Sequence, residues 1–167
     1  CVVKTPGGSL MVYGGFDGEV GRLHMATSDD SHRWDSQGTI MQRGPEDAGG
    51  ANHPCLLMTG ERWWLFYTGY PDSRGGQRSV LVAAVSQTGA SWDRVGAILE
   101  PEAAEVAVSH PCALEISEST LRLDRGDSAS LGVRNAHEDG ITPVLNLSLQ
   151  APAGQSNSVH DHPPCIL

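Results

Sequence analysis

Short apolar runs separated by turn-forming residues mark the first hundred positions of the chain. The clearest unit covers residues 53–101 and contains four such runs, at 55–58, 62–68, 79–86 and 91–99. The runs are rich in β-branched and aromatic residues, and none shows a convincing helical period. Clusters of Gly, Pro, Asp and Ser separate them. The pattern predicts four short antiparallel strands within about 50 residues.

The units on either side repeat this pattern less completely. Runs at 10–13, 21–28 and 33–41 match the last three strands, and we expect the first strand to be missing or to lie before Cys1. In the unit that follows, the signal weakens, because every Trp, Tyr and Phe residue lies between positions 13 and 92. Residues of about 124–150 are therefore either a decayed repeat or the product of a misread reading frame.

A His-Pro-Cys phrase recurs three times, as His53-Pro54-Cys55, His110-Pro111-Cys112 and His162-Pro163-Pro164-Cys165. The histidines are 57 and 52 residues apart. This period is too long for the common helical solenoids and suits one four-stranded propeller blade. We predict an all-β chain that forms a β-propeller fragment of about three four-stranded blades. The whole chain, 1–167, is one partial domain with units at about 1–52, 53–109 and 110–161, the third degenerate.

Charge and cysteine content limit the possible partners. The net charge is −9, from 20 acidic and 11 basic residues, which repels phosphate backbones and anionic membrane surfaces. No apolar run approaches the roughly 18 residues of a membrane span. We therefore expect no nucleic-acid or membrane partner, while neutral or cationic small ligands remain open. Cys55, Cys112 and Cys165 share one repeat position, which favours buried packing residues over disulfide partners.

Several motifs together carry a family resemblance. The segments Ser28–Trp34 and Ser86–Trp92 are turns of similar design, and Tyr13-Gly14-Gly15 returns as Tyr67-Thr68-Gly69. With the x-Pro strand starts, these motifs resemble the five-bladed β-propeller glycosidases, which include arabinanases, xylosidases, fructosidases and levansucrases. The resemblance covers about residues 9–123. It implies a five-bladed propeller, of which this chain holds about three blades.

The resemblance also implies a reaction. The family uses three carboxylates in a central funnel, among them a base or nucleophile and a general acid, and an Asp-Pro step commonly opens an innermost strand. His-Pro steps stand at the corresponding places here, and no Asp-Pro step occurs in the chain. The leading hypothesis is a glycoside hydrolase or relative that acts on a furanoside or related glycan by carboxylate acid/base hydrolysis. The alternative is a non-catalytic glycan- or protein-binding propeller, or an inactive fragment, with His in place of Asp.

Blade topology predicts which side chains reach the funnel. The candidate catalytic residues are Asp47, Glu102 and Glu105, for which solvated loop charge is the alternative interpretation. The candidate glycan-binding residues are His53, His110, His162, Asp17, Tyr70, Asp72 and Arg74. The three histidines could instead cap strand starts or meet as metal ligands, although their spacing matches no compact metal motif. We expect a carbohydrate ligand, no cofactor and no metal, and self-association through an open blade face.

Overall fold

The computed structural model describes residues 1–59, 62–72, 78–101, 108–117, 120–124, 130–136 and 144–150, with side chains described as far as Ala113. These residues form three antiparallel sheets of four strands, each with its strands in sequence order. The strands are β1 Val2–Thr5, β2 Gly8–Phe16, β3 Gly21–Ser28, β4 Asp35–Thr39, β5 Gly50–Thr59, β6 Arg62–Tyr70, β7 Val80–Ser86, β8 Asp93–Leu99, β9 Cys112–Ser117, β10 Thr120–Asp124, β11 Ser130–Ala136 and β12 Val144–Gln150. We call the sheets the first (β1–β4), second (β5–β8) and third (β9–β12) blades. Within this part of the chain, no helix is long and apolar enough to cross a membrane.

The first blade has its inner strand, contrary to the expectation from the sequence. Strand β1 pairs antiparallel with β2, and Cys1 exchanges two backbone hydrogen bonds with Val12, both of 2.9 Å. The strand escaped recognition because it has only four residues, which alternate between exposed and half-buried and so give no apolar run. Cys1 stands opposite Val12 as Cys55 stands opposite Phe66. Cys1 therefore occupies the repeat position of Cys55.

The stretch at 124–150 contains regular strands. Strand β11 pairs antiparallel with β12 from Ser130↔Gln150 to Ala136↔Val144, and with β10 on its other side. These strands complete the outer half of the third blade.

Apolar side chains from facing blades hold the blades together. Successive strand residues point to opposite faces of a sheet, so the Trp63-Trp64 pair serves both faces of the second blade. Trp63 joins Leu10 and other residues in the cluster between the first and second blades, while Trp64 joins Ala113 in the cluster towards the third. Both rings are buried, at 8 % and 1 % exposure. Cohesion between blades is therefore mainly hydrophobic.

The repeated cysteines connect neighbouring innermost strands. The backbone N–H of Leu56 donates to Cys1 Sγ at 3.3 Å, and that of Ala113 donates to Cys55 Sγ at 3.2 Å. The same sulfur in successive blades thus accepts a hydrogen bond from the next inner strand. This contact explains why the cysteine recurs with the repeat.

The two similar turns lie at the end of the blades away from the His-Pro steps. Ser28 Oγ accepts the N–H of Ser31 at 2.7 Å, and Ser86 Oγ accepts that of Gly89 at 2.8 Å. Ser31 and Gly89 both adopt left-handed conformations, with φ of 62° and 77°. The indole of Trp92 donates to the Gly89 carbonyl at 3.0 Å. These contacts explain the turn motif by structure alone.

Candidate functional site

Two histidines occupy equivalent strained positions at one end of the inner strands. His53 has φ of 50° and His110 has φ of 56°, a left-handed conformation that costs a non-glycine residue of order 1–3 kcal/mol. His110 lies two residues before β9, close to the predicted strand start. His53 instead lies inside β5, at a bulge where the pairing register shifts between Asn52 and Cys55. The strained backbone is thus a feature of the repeat.

The imidazole rings of these two histidines lie against each other, tilted, across the boundary between blades, and we call them the stacked pair. Their ring centroids are 3.6 Å apart, with 32° between the ring planes. His110 is exposed and His53 is half-buried. Ser109 Oγ lies 2.8 Å from His110 Nδ1. His53 Nδ1 is buried and has no hydrogen-bond partner among the described residues.

The environment of His53 favours its neutral form. Burial lowers the pKa of His53 below its usual 6.5, and the nearby charge of protonated His110 lowers it further. A neutral imidazole carries one donor and one acceptor nitrogen. Such a ring can hydrogen-bond a hydroxyl group as either donor or acceptor.

Two further candidates lie at the same end of the second blade. Strand β6 ends at Tyr70, which pairs with Gly50 at the start of β5. The N–H of Gly49 donates to the Tyr70 carbonyl at 2.7 Å, and a methyl group on Gly49 would overlap the Asp72 carbonyl. Burial raises the pKa of the half-buried Tyr70. The backbone here is fixed by close packing, while the Asp72 side chain is exposed.

Asp17 lies in the corresponding turn of the first blade. Its Oδ1 accepts the N–H groups of Val20 and Glu19 at 3.0 and 2.9 Å, and its Oδ2 lies 3.2 Å from Arg22 Nη1. The backbone hydrogen bonds, chiefly that of Val20, and then Arg22 lower the pKa of Asp17 to about 2. Asp17 is therefore ionised at neutral pH and organises its own turn.

Asp47 occupies a 3₁₀ turn, Pro45–Asp47, and is 6 % exposed. Its Oδ2 accepts the Tyr67 hydroxyl at 3.0 Å and Arg94 Nη2 at 2.7 Å, and its Oδ1 accepts the Gly44 N–H at 2.6 Å. Arg94 Nε also donates to the Tyr67 oxygen, at 3.1 Å. Burial raises the pKa of Tyr67 above its usual range, so its hydroxyl stays protonated and can donate. Both carboxylate oxygens are thus engaged, as in a structural ion pair.

The remaining candidates, Glu102, Glu105, Arg74 and His162, lie outside the described residues. Whether a third histidine joins the stacked pair stays a prediction. In the described part of the chain, no group of three or more His, Cys, Asp and Glu side chains could hold a metal ion.

Three neighbours of the histidines were missed in the sequence, namely Asn52, Thr68 and Ser109. Asn52 Oδ1 accepts the His53 N–H at 2.9 Å, and Thr68 Oγ1 accepts the His110 N–H at 3.2 Å. A signal was present, because a polar residue directly precedes each of these two histidines and Thr68 fills the variable place of its Tyr-x-Gly motif.

Comparison with known proteins decides the fold. No family model matches the sequence, and no curated protein matches it. Among solved structures, a family 117 glycoside hydrolase from Zobellia galactanivorans aligns with a TM-score of 0.60 and 14 % identity over 80 % of this chain and 49 % of its own. The chain has the fold of the β-propeller glycosidases. It is accordingly an all-β partial propeller, as predicted.

Two other solved structures support the same fold. A family 32 β-fructofuranosidase from Bombyx mori has a TM-score of 0.56 at 11 % identity, over 80 % of this chain and 32 % of its own. A family 43 endo-arabinanase from Bacillus licheniformis has a TM-score of 0.52 at 11 % identity, over 89 % of this chain and 69 % of its own. This chain thus spans less than half of the first two structures. At such identities the likeness establishes the fold alone.

Proposed function

We propose that this protein is a carbohydrate-active propeller protein that binds a glycan at the blade end carrying His53 and His110. The stacked pair is the observation that carries the proposal. The resemblance in the sequence implies a carboxylate at the place of these histidines, and the strained backbone recurs in two blades. Strained residues cluster at functional sites, because the surrounding structure must hold them in place.

The chemistry of this end favours a neutral glycan. His53 is held in its neutral form and offers hydrogen bonds to sugar hydroxyl groups. The chain carries a net charge of −9, and Asp17 and Asp72 lie at the same end of the blades. This charge disfavours uronic-acid or sulfated polymers. Neutral arabinans and β-fructofuranosides are the first ligands to test, since an endo-arabinanase and a β-fructofuranosidase share the fold.

Hydrolysis is the second candidate, and the enzymes that share the fold favour it. It requires two carboxyl groups that flank the scissile bond. Asp47 is 6 % exposed, and both of its carboxylate oxygens accept hydrogen bonds within the protein. A hydrolytic role for this chain would draw on the candidates Asp47, Glu102 and Glu105, of which the last two precede His110 in the sequence.

Titration calorimetry with arabino- and fructo-oligosaccharides tests the proposal. We expect His53→Ala and His110→Ala each to weaken binding at least tenfold, about 1.4 kcal/mol. His32→Ala is the matched control, because His32 is exposed in the turn at the other end. Unchanged affinity in both site variants would refute the site. Release of reducing sugar that disappears in Glu102→Gln or Glu105→Gln would establish hydrolysis, and absence of release in the wild type would favour binding alone.

A further inference from the structure

The two strained histidines are each held by a side-chain acceptor from a different source. The N–H of His53 donates to Asn52, its own neighbour in the chain, at 2.9 Å. The N–H of His110 donates to Thr68, on β6 of the preceding blade, at 3.2 Å. The His53 N–H lies at a bulge and the His110 N–H lies before its strand, so both are outside the regular ladder and each is satisfied by a side-chain acceptor. The two backbone N–H groups therefore obtain their acceptors from different parts of the chain.

The strand register shows that the Asn52 and Thr68 side-chain oxygens serve the same place in successive blades. Gly14 pairs with Leu23 as Thr68 pairs with Leu81, so Gly14 and Thr68 hold the same place in successive blades. A methyl group on Gly14 would overlap the Asn52 amide oxygen. The Asn52 amide thus fills the space that glycine leaves open, where the next blade has the threonine side chain.

The residue at the place of Asn52 in the third blade makes a different contact. Ser109 directly precedes His110, but the His110 N–H already bonds to Thr68. The Ser109 hydroxyl instead lies 2.8 Å from His110 Nδ1 and so contacts the ring. Gly14 with Asn52, and Thr68 with Ser109, are therefore two alternative arrangements around a histidine in the left-handed conformation.

We infer that Asn52 and Thr68 are positioning residues that hold His53 and His110 in their left-handed conformations and thereby create the stacked pair. Thr68 is completely buried, so it acts on a ligand only through His110. The link to glycan affinity rests on the proposed function. The link to the geometry of the pair does not.

Imidazole NMR titration of the full chain tests this inference. Thr68→Val keeps the shape of the side chain but removes the acceptor, so the stack loosens. We expect the His53 titration midpoint to rise, because the pKa of His53 is lowered by burial and then by the His110 charge, and both effects weaken when the rings separate. Affinity for arabino-oligosaccharide should fall at least tenfold. Thr68→Ser, which keeps the hydroxyl, should leave both the His53 midpoint and the affinity as they are in the wild type.

Further variants separate positioning from folding. Thr88→Val removes another hydroxyl that accepts a backbone N–H, that of Ala90, at the other end of the blade, and should leave the His53 midpoint unchanged. Asn52→Ala should raise this midpoint as Thr68→Val does. Asn52 is exposed, so this variant decides the matter even if Thr68→Val does not fold.

The possible outcomes distinguish the two proposals. An unchanged His53 midpoint in folded Thr68→Val and in Asn52→Ala would overturn the positioning role. A His53 midpoint in Thr68→Ser that rises as in Thr68→Val would overturn it too. Movement of the midpoint as expected in a protein that binds none of the glycans would support the positioning role and refute the proposed function.

Discussion

Arg94 binds Asp47 through a partly buried contact of 2.7 Å, and the two residues are 47 positions apart in the sequence. Arg94 also donates to the Gln42 carbonyl at 2.9 Å. It thereby ties the connection between the first two blades to β8. Burial lowers the pKa of Arg94, but the hydrogen bond to Tyr67 and the charge of Asp47 outweigh burial and raise it. The guanidinium is therefore charged in the folded state.

Replacement of Asp47 should destabilise the protein. Asp47→Ala leaves the partly buried Arg94 charge with the more distant Glu46 carboxylate, at 3.7 Å, and we expect the free energy of unfolding to fall by about 2 kcal/mol. Denaturant unfolding followed by tryptophan fluorescence measures the change. Glu100→Gln is the control, because it breaks the exposed ion pair with Arg78 and should cost less than about 1 kcal/mol. Unchanged stability in Asp47→Ala together with lost hydrolysis would instead identify Asp47 as catalytic.

The interface towards the third blade should depend on Trp64. Its ring is 1 % exposed and lies parallel to that of Phe66, with centroids 6.0 Å apart. Trp64→Ala creates a large cavity, so we expect a loss of about 3–5 kcal/mol in unfolding free energy. Met58→Ala, at a side chain that is 44 % exposed, is the comparison and should change stability much less. Equal effects would contradict the packing described between the blades.

Stability should fall in acid because of Asp17. The pKa of Asp17 is about 2 in the folded protein against its usual 3.8, so the folded state binds fewer protons between these values. The stabilisation is present above about pH 4 and is lost as the pH falls towards 2. Unfolding followed over this range should show a smaller acid loss in Asp17→Asn than in the wild type. Identical profiles would show that the turn contacts do not hold this carboxylate.

His53 predicts a second pH effect, in a higher range. Its pKa is lowered below 6.5 in the folded state, so the unfolded chain binds more protons as the pH falls. The folded protein, in which His53 is neutral, therefore loses stability as the pH drops below 6.5. His53→Gln should remove this loss, and His32→Gln should keep it. Chemical unfolding between pH 7.5 and 5 measures both variants, and a loss that persists in His53→Gln would contradict the assignment.

The sequence was most informative where local composition and tertiary structure agree. The aromatic and β-branched run at 62–68 lies within β6. Strand β1 was missed because four residues without an apolar run give no local signal. The contact of Asp47 with Arg94 was also hidden, because residue type and loop position do not reveal an arginine on another strand. Thr68 lies in the recognised Tyr-x-Gly motif, but its contact was missed because its partner His110 belongs to the next blade.

The most direct test of the account is an NMR titration of the wild-type imidazole signals with arabino- and fructo-oligosaccharides at pH 7.5. If the stacked pair forms the glycan site, the His53 and His110 ring signals should shift together and saturably, while the His32 signal stays in place. Saturable binding that leaves both ring signals unchanged would contradict the account.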